Sequence, residues 1–205
     1  MFLAPSHPLL NSPAQPISVE EITSEPIQSI IETMLTIAQG ERHDPKKRSM
    51  VGLAAPQIGI NRCIILVDVG IGTDRKSFGH IKVYINPIIL WMSEEQELDR
   101  EGCFSVDRNV AGAVPRAKHI KLQAYDREAN LVTEEHSDYT ARIFQHEIDH
   151  LHGIRFPERV GEHGSLFYYE ADQIEDFRLN WRTWPNKCPW DTWLKMKAGL
   201  PYQLP

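Results

Sequence analysis

The chain has 205 residues, enough for one substantial domain with a core of ordinary size. Its 41% hydrophobic and 24% charged residues exclude the disordered and fibrous classes. A net charge of −6 argues against a nucleic-acid surface, because neutralising phosphates takes a basic face. The basic cluster Pro45-Lys46-Lys47-Arg48 reads as a solvated turn. No run approaches the ~18 consecutive apolar residues that cross a bilayer. The N-terminus carries neither the basic nor the apolar stretch of a secretion signal, so a cytoplasmic protein without membrane contact is expected. Cys63, Cys103 and Cys188 cannot pair completely, which fits a reducing compartment.

Residues 1–17 hold four prolines and predict an extended arm. Residues 18–39 place Ile22, Ile27, Ile30, Ile31, Leu35 and Ala38 at helical spacing, with Ser18 or Ser24 as cap and Pro26 near the start. Residues 40–49 are polar and read as a loop. Residues 63–67, Cys-Ile-Ile-Leu-Val, predict a buried strand, and residues 83–86 and 88–90 predict strands broken at Pro87. Residues 119–125 alternate polar and apolar, as a strand with one wet face does. Residues 139–152 then turn helical: Ala141, Phe144, Ile148 and Leu151 form one apolar stripe, Ser137 or Asp138 can cap it, and Gly153 can end it. One helix late in a strand-rich chain predicts an α+β fold. From residue 161 the chain is tryptophan-rich and interrupted by Pro185 and Pro189. We therefore expect a catalytic domain over 1–160 and an extension over 161–205 that packs on the core or on a partner.

The chemistry concentrates in His146-Glu147-Ile148-Asp149-His150. Histidines four apart on a helix share one face and can hold one metal ion. Glu147 between them can act as general base on a water at that ion and return the proton to a leaving amine. Two ligands leave a tetrahedral set incomplete, so a third is required. Phe156 stands where the metzincin pattern needs a histidine, which removes that class. Glu170, in the manner of a gluzincin-type peptidase, and Cys103, a thiolate suited to a soft divalent ion, both remain.

Three segments, taken together, resemble the signature of the peptide deformylases: Gly52-Leu53-Ala54-Ala55-Pro56-Gln57-Ile58-Gly59, then Glu101-Gly102-Cys103-Phe104-Ser105, then Gln145-His146-Glu147-Ile148-Asp149-His150-Leu151. The order and spacing match, and the likeness extends from residue 2 to about 160. The resemblance implies small mixed or antiparallel sheets around a central helix that carries the histidines. It implies Cys103, His146 and His150 as ligands to one divalent ion, Fe²⁺ in the cell, with Zn²⁺ or Ni²⁺ able to replace it. It implies Glu147 as the catalytic acid/base, with the Gln57 amide and the Phe104 backbone N–H holding an oxyanion. Gly52, Val51 and Arg116 are implied on the substrate side, Arg116 either binding substrate backbone or bracing Glu101. The implied reaction removes the formyl group from the first methionine of new polypeptides, with formylmethionyl nascent chains at the ribosome as partners. The chain departs from the family pattern at Met50, where the first motif opens with glycine, at Phe104 for leucine, and at Asp107 for proline. These positions bear on pocket shape and leave the ligands in place.

Several residues are expected to have no chemical role. Cys63 reads as a small buried hydrophobe, Cys188 as an exposed or partly covered thiol, and His152 as solvated. His119 is placed in a strand and His136 in a loop. Asp149 is expected to face away from the ion.

Overall fold

A computed structural model describes residues 2–42, 50–71 and 79–205; the basic cluster at 45–48 and most of the expected loop lie outside them. The arm is extended apart from one helical turn, Pro8–Asn11. The Ala14 N–H donates to the Leu151 carbonyl (2.8 Å), which ties the arm to the far end of the site helix.

The expected helix over 18–39 is two helices, α1 (Val19–Ile22) and α2 (Glu25–Arg42). Proline causes the division. A continuous helix would need an N–H at position 26 for the Ile22 carbonyl, and Pro26 has none. The Gln28 side-chain amide donates to that carbonyl instead (2.9 Å). Ile22, Ile27, Ile31, Met34 and Ala38 form the buried face of the pair.

Two antiparallel sheets follow. Strands β1 (Gly52–Ala54), β2 (Ile64–Asp68), β3 (Ile81–Met92), β6 (His119–Tyr125) and β7 (Leu131–Ser137) form the larger, in the order β1-β2-β3-β6-β7. Strands β4 (Gln96–Glu101), β5 (Val110–Ala117) and β8 (Leu166–Tyr168) form the smaller, in the order β4-β5-β8. The break expected at Pro87 is a bulge inside one long strand: the β3–β6 register shifts between Ile85 and Ile88. Asn86 stands there at φ 50°, and its side chain exchanges hydrogen bonds with the backbone of Ile17 (2.6 and 3.0 Å). A proline is tolerated where the ladder is already interrupted. Pro115 lies in β5 for a related reason, since β8 pairs only with residues 110–112 and leaves Pro115 without a partner strand on one side.

Helix α3 (Asp138–Leu151) packs on β1, β2, β5 and β7. Its stripe of Ala141, Phe144, Ile148 and Leu151 is buried against Ile65, Val67, Ile120 and Leu122. Gly153 ends it at φ 73°, a left-handed conformation that favours glycine, with its N–H on the His150 carbonyl. The fold is α+β, as expected. His136, expected in a loop, lies in β7.

After the short helix α4 (Phe156–Val160) come α5 (Ile174–Asn180) and α6 (Trp190–Ala198). Most aromatic residues of this segment are buried on the smaller sheet. Phe177, Trp181 and Trp184 pack with Ala111 and Ala113, while Trp193 and Met196 pack with Val114 and Phe156. Cys188, expected to be exposed or partly covered, is buried in this second group, and burial pushes its thiol up to about 11. No helix among the described residues is long and apolar enough to cross a membrane.

Candidate active site

Helix geometry places His146 and His150 one above the other, ring centroids 5.0 Å apart. Cys103 follows β4, and its Sγ reaches His150 Nε2 at 3.2 Å. Ligand atoms of Cys103, His146 and His150 all lie within 4.8 Å of one another. Glu170 is exposed at the start of a helical turn, its N–H bonded to Gln173, and has no place in that set. Cys63 donates to the Ala14 carbonyl and is likewise apart.

The donor atoms are oriented from behind. His146 Nδ1 lies 2.9 Å from the Glu101 carboxylate, which leaves Nε2 turned to Cys103 and His150. Glu101 is buried, and burial alone would raise its pKa. The hydrogen bond with His146 and the bidentate Arg116 guanidinium (2.9 and 3.0 Å) hold it well below the usual carboxylate range. Arg142 adds a third contact at 2.8 Å. Arg116 also donates to Asp149 (2.6 Å), so its guanidinium lies behind the ligand set. It is 5% exposed and does not line the cavity, and of its two expected roles the contacts match the bracing of Glu101. Asp149, held by Arg116 and Arg159, is buried and faces away from the site. His152 is exposed, and His119 of β6 bonds to Ser137 of β7. Burial holds His150 well below its ordinary pKa, in the neutral form that metal coordination needs.

Gln57 stands on the one-turn helix Ala55–Ile58, fixed at both ends of its amide. Its oxygen accepts the Ala54 N–H (2.7 Å), so its nitrogen must point into the site, where it meets Cys103 Sγ and Ser105 Oγ at 3.3 Å. The arm braces this turn: the Leu3 N–H donates to the Gln57 carbonyl, and Phe2 stacks on Phe104 (4.7 Å, 12°). Val51 and Gly52 line the same cavity.

Glu147 is 5% exposed, and burial pushes its carboxyl up to about 7. Its Oε2 has no hydrogen-bond partner among the described residues. A buried carboxylate oxygen left open beside a thiol and two imidazoles fits a divalent ion with a ligand position kept for water. Gly52 is needed for this arrangement. A Cβ there would stand 2.4 Å from Glu147 Oε1, so the missing side chain makes room for this carboxyl.

The cavity measures about 190 Å³. It also touches Arg142, Tyr169, Ile174 and Phe177, which sequence reasoning did not place there. Arg142 sits one turn before His146 on α3, and that spacing was a usable signal. The other three come from a segment whose path no local pattern specifies.

The family model for polypeptide deformylase matches residues 2–165. The chain is 36% identical over 162 residues to a peptide deformylase of Shouchella clausii, covering 75% of this chain and 85% of that one. It is 45% identical over 133 residues to that of Ligilactobacillus salivarius, covering 62% and 69%. The fold matches a Met-Ala-Ser-bound class I type b peptide deformylase of Acinetobacter baumannii with TM-score 0.68 and 31% identity, over 78% of this chain and 97% of that one. With a family model over most of its length and relatives above 30% identity, the chain belongs to the peptide deformylase family.

Proposed function

We propose that Cys103, His146 and His150 hold one divalent ion, Fe²⁺ in the cell, and that around it this chain hydrolyses the formamide of N-formylmethionyl peptides. The observation that carries this reading is the buried, unpartnered Glu147 oxygen beside those three donors. A thiolate with two imidazoles suits a borderline divalent ion, which is also why Zn²⁺ or Ni²⁺ can take the same place.

When bound, such an ion supplies Lewis acidity and brings the pKa of a water toward neutrality. Glu147 accepts the proton of the attacking water, whose oxygen adds to the formyl carbon. The amide of Gln57 and the backbone N–H of Phe104 donate to the oxygen that gains charge. Gln57 is preorganised for this because the Ala54 N–H fixes its other end. Glu147 then gives its proton to the methionine nitrogen as the carbon–nitrogen bond breaks, and formate leaves. A carboxyl poised near neutrality can serve in both directions. Val51 and Gly52 border the substrate. Nascent chains at the ribosome in the cytoplasm are the natural source of such ends. We assign residues 1–160 to the catalytic unit and 161–205 to an extension packed on it.

Formate release from formyl-Met-Ala-Ser by nickel-loaded protein tests the reading. Glu147→Ala is expected to lower kcat by at least about 100-fold with metal content retained, while Cys103→Ala loses the metal. Metal retained in Cys103→Ala but lost in Glu170→Ala would instead support the gluzincin arrangement.

A further inference from the structure

The cavity beside Glu147 runs past the motif residues. Part of its lining is the face of α3 that carries Tyr139, Ile143 and His146, and another part is made by Ala111, Tyr169, Ile174, Phe177 and Arg178. Tyr139 and His146 are seven residues apart, about 10 Å along the helix axis, long enough for a whole methionine-sized side chain. Tyr169, Ile174 and Phe177 lie beyond residue 165, where the family match ends.

This second part is built to stay in place. Tyr169 and Phe177 are 3% and 2% exposed and stack at 4.6 Å and 18°, with the edge of Trp184 against Phe177 at 5.5 Å. The Tyr169 hydroxyl donates to the Arg108 carbonyl (3.0 Å), and its N–H to the Asn109 carbonyl (3.0 Å). Arg100, in the strand leading to Cys103, donates to the Arg178 carbonyl (3.3 Å) and so ties α5 to the ligand strand. Ile174 is only half-buried and stands at the rim.

We infer that residues 169–178 form one wall of the pocket for the substrate's first side chain, and that Ile174, Tyr169 and Phe177 set the size and chemistry it accepts. The identity of that substrate rests on the deformylase reading above. The aromatic part of this wall, Tyr169 and Phe177 with Ile174 at its edge, suits a flexible, polarisable thioether, while Arg178 lines the same cavity beside them. The extension therefore acts in specificity and does more than cover the smaller sheet.

The test compares nickel-loaded wild type, Ile174→Trp, Ile174→Ala and Phe177→Leu on formyl-Met-Ala-Ser, formyl-Ala-Ala-Ser and formyl-Phe-Ala-Ser. Near-UV circular dichroism checks that the aromatic cluster is intact. Filling the rim with Ile174→Trp is expected to lower kcat/KM for the methionyl peptide relative to the alanyl one by about tenfold or more. Opening the wall with Ile174→Ala or Phe177→Leu should raise the phenylalanyl peptide relative to the methionyl one by a similar factor. Should Phe177→Leu not fold, the two Ile174 variants decide the matter. Calorimetric titration with unformylated Met-Ala-Ser and Ala-Ala-Ser reads the same wall without turnover, and Ile174→Trp should weaken the first and spare the second. Peptide ratios and affinities unchanged in folded variants would overturn the inference. Formate released from none of the peptides by wild type would instead sink the deformylase reading, and the titration would still decide whether the wall binds the side chain.

Discussion

At Gly52 a hydrogen stands where any other residue would put a Cβ, and the carboxyl of Glu147 fills the space. The two residues are 95 positions apart in sequence and meet only because β1 packs against α3. The atoms that a Cβ would strike, Oε1, Cδ and Cγ, all belong to the Glu147 side chain, so the fold can yield, but the carboxyl must move. Gly52→Ala is therefore expected to cost at least about tenfold in kcat, since a displacement of order 1 Å at a reacting group costs up to about 100-fold. Its unfolding free energy from urea titration should stay within about 1 kcal/mol of wild type, because a flexible side chain and not the backbone is displaced. A large loss of stability with activity intact would contradict this account. Glu101 illustrates the complementary case: it stands outside the donor set, yet it orients His146 while Arg116 and Arg142 keep it ionised.

Among the elements, α3 depends on β7 for more than its cover. His136 of β7 stacks on Phe144 of α3 (4.5 Å, 30°) and bonds to Glu134 (3.0 Å), which also receives Lys82 and Tyr84. Burial holds His136 below its ordinary 6.5. For Glu134 burial alone would raise the pKa, but the bonds from Lys82, Tyr84 and His136 lower it below 4.5. Both groups bind fewer protons folded than unfolded, so both contribute stability that is lost on acidification. The His136 share fades as pH falls below about 6.5, and the Glu134 share below about 4.5. Thermal unfolding from pH 7 to 5 should fall more steeply for wild type than for His136→Gln. Parallel curves would show that His136 does not titrate with folding.

Taken whole, the molecule is closed by its two ends. The Arg155 guanidinium donates to the Pro5 carbonyl and to Asn11 of the arm, and lies 4.6 Å over the ring of Trp193 in α6. The arm in turn braces the Gln57 turn through Leu3 and Phe104 through Phe2. Trp193 is 1% exposed. Trp193→Ala should destabilise the protein by about 3–5 kcal/mol, the cost of emptying a large aromatic site, measured by urea unfolding. A change below about 1 kcal/mol would mean that α6 is an independent appendage.

The sequence alone determined the α+β class, the site helix with its apolar stripe, and β6 to the residue, because these rest on periodicity and on end signals local to the chain. Three ordered motifs likewise pointed to Cys103, Gln57 and Glu147, which the structure brings to one cavity, since each motif keeps its residues within a short stretch. Other features were beyond local reading. The split at Pro26 depended on which group would take the Ile22 carbonyl, and the continuity of β3 on Asn86 meeting Ile17. Strand β7, with Glu134, Glu135 and His136, hides its alternation because Glu134 is satisfied by Lys82 and Tyr84, Glu135 by Lys121, and His136 stacks on Phe144, all from other elements. Only the tertiary structure decided that Gly52 makes room for Glu147, that Arg116 lies behind the ligands, and that a tryptophan-rich segment brings Tyr169, Ile174 and Phe177 to the cavity. Contacts between residues tens of positions apart leave no periodic trace in either segment, so packing alone selects them.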